Sequence, residues 1–211
     1  MKLLHIDSSV SGDASASRQI TAEITRALRD TTPGLQVVRR DLEADPIPHL
    51  SNRLLSTIRP DPSRPSEATV AEANDAAAVL QEFLDADVLV IGAPMYNFGI
   101  PSQLKAWLDR VLIAGKTFTY TEAGPKGLAG GKRVIVASSR GGLYSPGAPS
   151  EANDFQETYL RAVFAFIGID NVEFVRAEGL AYGPDQRDAA ITAALATIPS
   201  VAGATAPALA A

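Results

Sequence analysis

The chain has 211 residues, of which 46% are hydrophobic and 20% charged, so one globular domain with a sizeable core is expected. A net charge of −5 and a pI of about 5.1 argue against binding to nucleic acid or an anionic membrane surface. Without cysteine, and with only His5 and His49, the chain is not expected to form disulfides or a histidine-rich metal site. No leader of signal length and no apolar stretch near the roughly 18 residues of a membrane span are seen, so we expect a cytoplasmic protein.

The N-terminal part has the pattern of a strand, a helix and a second strand. An apolar run at residues 2–6 predicts a buried strand, and a loop rich in small and hydroxyl residues follows it. From Ser17 onward apolar residues recur at helical spacing until Pro33 and Gly34 end the helix. Residues 35–38 predict the second strand, which completes the span of a βαβ unit.

A long connection leads to the third strand. Residues 45–65 are proline-rich and are predicted to be irregular, apart from a short helix at residues 51–58. An alanine-rich helix is predicted at residues 66–85, and the third strand at residues 88–91. The apolar and aromatic loop at residues 93–101 then leads into an amphipathic helix.

The remaining elements continue this alternation. They are predicted as a helix at 101–111, an irregular section at 114–128, a strand at 134–137, a helix at 150–166, a strand at 172–175 and a helix at 184–198. The sequence from Pro199 is rich in alanine, proline and glycine and is expected to fray. We therefore divide the chain into one domain over residues 1–198 and a tail over residues 199–211.

Five short strands that alternate with helices predict an α/β fold with a parallel sheet and helices on both faces. For five strands, the common doubly wound order is the flavodoxin-like one, which binds ligands at its topological switch point. In that order the loops after the first, third and fourth strands lie together at one edge of the sheet.

The first of these loops, residues 9–17, has the composition of a phosphate site. It opens a helix, whose N-terminus offers free N–H groups and a partial positive charge. Ser9, Ser15 and Ser17 add hydroxyl groups, the loop has no lysine, and Arg18 is close by. The alternative is that Ser15 or Ser17 serves only as a helix N-cap.

The second loop suits a flat, largely apolar ring with polar edges, such as a flavin. Backbone groups at Asn97, Phe98 and Gly99 would bond the polar edge, with Gly99 freeing the backbone, while Met95 and Phe98 would pack on the ring faces. The alternative is that Met95, Tyr96 and Phe98 belong to the core.

The third loop covers residues 139–144. Gly141 and Gly142 would let the backbone approach a ligand closely. Arg140 would stabilise charge on a reduced ring or pair with a carboxylate, the alternative being a flexible turn with a solvated arginine.

The order and spacing of several motifs resemble those of the FMN-dependent NADH-azoreductases, also described as FMN-dependent NADH:quinone oxidoreductases. The resemblance runs from Met1 to about Gly179. The motifs are Met-Tyr-Asn-Phe at 95–98, Pro-Ser-Gln-Leu-Lys at 101–105, Ala-Gly-Lys-Thr-Phe-Thr-Tyr-Thr-Glu at 114–122, Gly-Pro at 124–125, Gly-Leu at 127–128 and Ser-Arg-Gly-Gly at 139–142.

The resemblance implies a flavodoxin-like homodimer with one FMN per subunit, in which NADH or NADPH and then a quinone or azo compound react in a ping-pong sequence. By position, it assigns residues to the phosphate (Ser9, Ser15, Ala16, Ser17), the ring (Met95, Tyr96, Asn97, Phe98) and its pyrimidine edge (Ser139, Arg140, Gly141, Gly142). It implies that Phe118 and Tyr120 lie over the substrate pocket and reach across the dimer. Tyr144 stands where some relatives carry histidine, and we count it with the pocket.

A flavin would supply the hydride chemistry, so no catalytic side chain and no metal are assigned. The alternative function is a flavodoxin-type electron carrier, which would share the fold and the FMN but lack turnover with NADH. The preference for NADH or NADPH is left open, with Arg59 and Arg64 as candidate contacts to a cofactor phosphate.

Overall fold

The computed structural model describes residues 1–58 and 70–203. Its strands and helices alternate, except where two helices follow one another after the second strand and where a hairpin precedes the last two strands. In chain order they are β1 (Lys2–Asp7), α1 (Ala16–Thr31), β2 (Gln36–Asp41), α2 (Asn52–Ile58), α3 (Val70–Asp85), β3 (Val88–Pro94), α4 (Ser102–Val111), β4 (Phe118–Thr121), β5 (Gly124–Gly127), β6 (Arg133–Ser139), α5 (Phe155–Phe166), β7 (Val172–Ala177) and α6 (Pro184–Gly203).

Five of the strands form one parallel sheet in the order β2-β1-β3-β6-β7. The central strand β3 pairs with β1 on one side and with β6 on the other. In this register, Val88 of β3 lies opposite Leu3 of β1 and Arg133 of β6. This is the predicted flavodoxin-like order, so the fold class is confirmed. From β1 the strand order runs to β2 on one side and then to β3, β6 and β7 on the other. This switch in strand order leaves a crevice beyond the carboxyl ends of β1 and β3.

The two faces of the sheet are covered by two separate apolar cores. Alternate residues of a strand point to opposite faces, and β3 accordingly sends Leu89 and Ile91 to one core and Val88 and Val90 to the other. The first core includes side chains of α3, α4 and α5, and the second those of α1 and α6. Burial on both faces explains why the strands appear in the sequence as continuous apolar runs.

The section at residues 114–128 is not irregular as predicted but forms an antiparallel hairpin of β4 and β5. Both strands are four residues long, and β5 has the sequence Gly-Pro-Lys-Gly, which is poor in the residues that favour strands. The hairpin lies tightly against the end of α5, since a Cβ atom on Gly127 would fall 2.1 Å from the backbone nitrogen of Gly168. Its strand pairing therefore depends on tertiary packing that local sequence does not encode.

The predicted ends of two helices are also corrected. The predicted helix at 150–166 is divided: residues 151–153 form a short 3-10 helix, and α5 begins at Phe155. The Asp154 carboxylate caps α5 by accepting hydrogen bonds from the Gln156 and Glu157 N–H groups (3.1 and 2.9 Å). α6 continues to Gly203 instead of ending at Ile198, so the boundary set at Pro199 falls inside a helix.

The extension of α6 has a packing explanation. Val201 and Ala202 pack against the second core, and the Arg133 guanidinium donates to the Val201 carbonyl. These contacts hold the last turn although Pro199 cannot donate a helical hydrogen bond.

Some predictions fall on residues 59–69 and 204–211, which lie outside the described residues. They are the second half of the long connection with Arg59 and Arg64, the start of the alanine-rich helix, and most of the tail. Within the described ranges, no helix has the length and apolar character needed to cross a membrane.

Candidate functional site

Three loops meet at the carboxyl edge of the sheet, as the strand order predicts. The Met95 N–H, just after β3, donates to the Ser139 carbonyl at the end of β6 (2.8 Å). The Tyr96 hydroxyl lies 3.3 Å from the Ser9 hydroxyl and accepts a hydrogen bond from the Val10 N–H (3.2 Å), just after β1. These bonds fix the loops around a cleft of about 150 Å³ that is open to solvent.

Most of the residues assigned to the cofactor from the sequence line this cleft. They are Ser9, Ser15, Ala16, Met95, Tyr96, Ser139, Arg140 and Gly141. The other four are not in the wall: Ser17, Asn97 and Gly142 are next to lining residues in the chain, and Phe98 is two positions from Tyr96. Their roles stay predictions.

The first loop offers unpaired backbone donors at the start of α1. Ser15 is the N-cap residue and its hydroxyl accepts a hydrogen bond from the Arg18 N–H (3.3 Å), while the Ser15 and Ser17 hydroxyls lie 3.1 Å apart. Ala16 and Ser17 are buried, yet their N–H groups have no acceptor among residues 1–58 and 70–203. Buried donors at a helix N-terminus favour a bound anion, so this end of the cleft fits a phosphate.

The sequence placed Arg18 close to the expected phosphate, but its side chain binds other groups of the chain. Its guanidinium donates two hydrogen bonds to the Asp41 carboxylate (2.5 and 2.7 Å) and two to the Ser9 carbonyl (2.9 and 3.2 Å). Hydrogen bonding to Arg18 lowers the pKa of Asp41 to about 2, although partial burial opposes this. Arg18 therefore joins the first loop to the end of β2, and its charge is already balanced.

The second loop is a tight turn with unusual backbone angles. Tyr96 and Gly99 exchange two backbone hydrogen bonds (3.0 and 3.1 Å), and the residues between them, Asn97 and Phe98, have φ values of 49° and 71°. Both N–H groups have no acceptor within the described part of the chain. Such strain in non-glycine residues is typical of functional sites, and it falls here on Asn97 and Phe98 instead of on Gly99.

The third loop holds a buried arginine that pairs with carboxylates, which is one of the two roles the sequence left open. The Arg140 side chain is 0% exposed and forms ion pairs with Asp154 (3.1 Å), Glu157 and Glu178 (3.1 Å). Burial raises the pKa of Glu178, but hydrogen bonds from Ser145 and the Tyr144 N–H and the Arg140 charge lower it by more. The guanidinium stabilises the loop and is not free to balance charge on a ring.

An aromatic pair borders the second and third loops. Phe98, which is 48% exposed, meets Tyr144 edge to face with ring centroids 6.4 Å apart. A Cβ atom on Gly142 would lie 3.1 Å from the Tyr144 ring, so glycine at this position lets the ring approach. The pair is suited to covering one side of a flat ligand.

The two aromatic residues of the hairpin lie apart from the cleft. Phe118 is buried against Phe166 (centroids 4.6 Å apart), whereas Tyr120 is 71% exposed and neither residue lines the cleft. Within one chain, therefore, the structure does not bring the predicted pocket residues Phe118 and Tyr120 to the other site residues.

The structure adds residues that the sequence did not single out. Leu180 and Arg187, which precede and begin α6, line the cleft from the β7 side. The Tyr96 hydroxyl contacts the first loop, whereas the sequence had assigned Tyr96 to the ring. Leu180 and Arg187 are distant in the chain from the three loops, so no local pattern identifies them.

The chain is similar to known proteins over most of its length. A family model described as "Flavodoxin-like fold" matches residues 1–201. The FMN-dependent NADH:quinone oxidoreductase of Methylocella silvestris is 58% identical over 90% of this chain and 94% of its own. That of Stenotrophomonas maltophilia is 59% identical over 95% of both chains.

A solved structure agrees with these relatives. The FMN-dependent NADH-azoreductase from Bacillus anthracis str. Ames Ancestor, in complex with FMN, has a TM-score of 0.85 to this chain. It is 28% identical and the match covers 98% of this chain and 99% of that one.

The fold and the cleft at its switch point define a flavodoxin-like protein. At the finer level, the identity to these relatives shows that the chain belongs to the family of FMN-dependent NADH:quinone oxidoreductases. The resemblance found in the sequence is thus confirmed.

The residues present fit FMN. Unpaired N–H groups at Ala16 and Ser17 suit the phosphate, and those at Asn97 and Phe98 suit acceptor atoms on the edge of a ring. The wall between them, from Met95 to Tyr96, is apolar and aromatic, as a flavin ring requires.

Proposed function

We propose that this chain binds FMN in the cleft and catalyses two-electron transfer from NADH to a quinone. The observation that carries the proposal is a cleft bordered by unpaired backbone donors: the buried N–H groups of Ala16 and Ser17 at one end, and those of Asn97 and Phe98 in the turn that follows the wall residue Tyr96. Family membership supplies the identity of the ligand that these donors would bind. Azo compounds are a second class of acceptor, supported by the azoreductase among the similar structures.

The site residues follow the assignments made from the sequence. We propose that Ser9, Ser15, Ala16 and Ser17 hold the phosphate, that Met95, Tyr96, Asn97 and Phe98 contact the ring, and that Ser139, Arg140, Gly141 and Gly142 form the wall at its pyrimidine edge. Arg140 contributes by its place in that wall, because its guanidinium is committed to three carboxylates.

FMN held in this cleft would supply the transfer of a hydride from NADH to the acceptor, so the chain would need no nucleophile or metal of its own. The N–H groups of Asn97 and Phe98 would donate to the ring edge, where negative charge develops on reduction. Phe98 and Tyr144 would keep water from one face. With a hydride from NADH and one proton from water, a quinone becomes a hydroquinone.

A homodimer belongs to the same proposal. It is supported by Tyr120, whose ring is 71% exposed on a hairpin that Phe118 and Phe166 anchor to the chain. An exposed aromatic on an anchored hairpin is suited to reach a second subunit, where it would lie over the other cleft. The cytoplasmic location expected from the sequence stays a prediction.

The electron-carrier alternative is not supported by the relatives, which are oxidoreductases by name. One experiment separates the two functions. The purified full chain is mixed with FMN and desalted, its absorption spectrum is recorded, and NADH and then benzoquinone are added without air. We expect a retained flavin band that NADH bleaches and benzoquinone restores.

The other outcomes are equally informative. A retained band that NADH does not bleach would favour a carrier. Loss of the flavin on desalting, together with no binding in a direct FMN titration, would show that the cleft is not a cofactor site.

A further inference from the structure

Arg187 lies beside the first loop, although it belongs to the first turn of α6. It lines the cleft, and its guanidinium donates a hydrogen bond to the carbonyl of Ala14, the residue before Ser15. The guanidinium is thus held at the first loop, in the same cleft wall as Ala16, whose N–H group is unpaired. Since a guanidinium has five N–H donors, one bond to Ala14 leaves the others available.

The charge of Arg187 is not balanced by a carboxylate, unlike that of the other arginines near the cleft. Arg18 pairs with Asp41, and Arg140 with Asp154 and two glutamates. Within residues 1–58 and 70–203, Arg187 forms no ion pair. Its acidic neighbours, Asp13 on the loop and Asp185 and Asp188 on α6, are exposed and do not pair with it.

The residues assigned to the phosphate by the family resemblance are three serines and an alanine, and none of them carries a positive charge. A phosphate monoester carries about −1.5 to −2 charges at pH 7, and a hydrogen bond from a cation to it is about twice as strong as a neutral one. A cleft with neutral donors alone would leave most of that charge uncompensated.

We propose that Arg187 is a cofactor-binding residue that supplies the positive charge facing the phosphate of FMN. The proposal rests on the proposed function and adds a residue from α6 to a site otherwise built from the loops after β1, β3 and β6. It makes the first turn of α6 part of the site. Arg187, and not Arg18, would balance the phosphate charge, because the Arg18 guanidinium is already paired with Asp41.

Riboflavin, which is FMN without its phosphate, gives the test its selectivity. FMN and riboflavin are titrated into the flavin-free full chain, as wild type and as the Arg187→Gln, Arg187→Lys and Arg29→Gln variants. Arg29 is an exposed arginine in the last turn of α1, so its variant removes the same charge at the far end of the helix.

We expect Arg187→Gln to raise the Kd of FMN about tenfold, the scale of one hydrogen bond to a charged group, and to leave the Kd of riboflavin unchanged. Arg187→Lys should recover part of the FMN affinity, and Arg29→Gln should match the wild type. The advantage of FMN over riboflavin should fall with added salt in the wild type and change less in Arg187→Gln.

An unchanged FMN affinity in Arg187→Gln would overturn the proposal, while wild-type binding of FMN would leave the proposed function intact. An equal loss of FMN and riboflavin affinity would also overturn it and would make Arg187 a structural link between α6 and the loop. Failure of the wild type to bind FMN at all would overturn both.

Discussion

The tip of the second loop carries backbone strain that side chains usually avoid. Asn97 and Phe98 both have positive φ, which type I′ turns require at their two central positions. Asparagine tolerates this region, but phenylalanine does so at a cost on the order of 1 kcal/mol or more. The two N–H groups in the turn have no acceptor among the described residues, and we interpret the strain as a feature of a binding site.

A pair of substitutions at Asn97 tests this interpretation. Glycine adopts positive φ freely and keeps the N–H, so Asn97→Gly should leave FMN affinity within about threefold. It should change the free energy of unfolding by less than about 1 kcal/mol, because relief of strain and the greater entropy of the unfolded chain oppose each other. Proline fixes φ near −65° and lacks the N–H, so Asn97→Pro should weaken FMN binding by about tenfold or more. FMN titration and urea unfolding of both variants measure these effects.

The glycine variant is the control for loss of the asparagine side chain. If Asn97→Pro kept its full flavin content, the turn would have no part in the site. The sequence identified this loop but not its geometry, since it pointed to Gly99 as the flexible residue. Because Tyr96 and Gly99 are hydrogen-bonded to each other, the positive φ angles of the turn fall on the two residues between them.

At the scale of elements, the first loop is held by an ion pair between α1 and β2. Arg18 bonds both the Asp41 carboxylate and the Ser9 carbonyl, and so connects the start of α1, the loop and the end of β2. Hydrogen bonds from the N–H groups of Glu43 and Ala44 (3.1 and 3.4 Å) also reach Asp41. This geometry makes stability depend on the ionisation of one carboxyl.

The pKa of Asp41 in the folded chain is about 2, below the ordinary value of 3.8. A lowered pKa contributes stability above pH 3.8, and this contribution is lost as the pH falls toward 2. Asp41→Asn should therefore lower the free energy of unfolding by about 2 kcal/mol at pH 7, and the difference from wild type should shrink between about pH 4 and pH 2. Urea unfolding at a series of pH values measures it.

Asp30→Asn is the matched control, because Asp30 pairs with Arg26 on the exposed side of the same helix and its side chain is 64% exposed. Such a surface pair contributes about 0–1 kcal/mol. A constant difference between wild type and Asp41→Asn down to pH 2.5 would show that the carboxylate charge is not the source of the stability.

The elements themselves could be predicted where burial leaves a pattern along the chain. The inner strands β1, β3 and β6 are buried on both faces and appear as apolar runs, and α1 shows a clear apolar stripe. The hairpin could not be predicted, because glycine does not favour a strand and the close packing of Gly127 on Gly168 is not visible in the local sequence. The end of α6 was missed because Val201 and Ala202 gain their contacts from a core built by distant residues.

At the scale of the whole molecule, the cleft exists only because the sheet is assembled. Its walls come from the ends of β1, β3 and β6 and from the segment after β7, which the strand order brings together. Sequence motifs identified three of these walls, since each has its own composition. The fourth, with Arg187, follows from the position of α6 beside α1 and has no local signature.

A site assembled in this way binds the folded chain and not the unfolded one, so FMN should stabilise the entire fold. At a free concentration of 100 times Kd, ligand linkage contributes about 2.7 kcal/mol. For a chain of 211 residues this corresponds to a rise in Tm of about 5–10 °C, and riboflavin at the same molar concentration should give a smaller rise. Thermal unfolding followed by circular dichroism measures both shifts. An unchanged Tm with saturating FMN would mean that the flavin does not bind the native fold, and a cleft formed by four distant segments would then need another ligand.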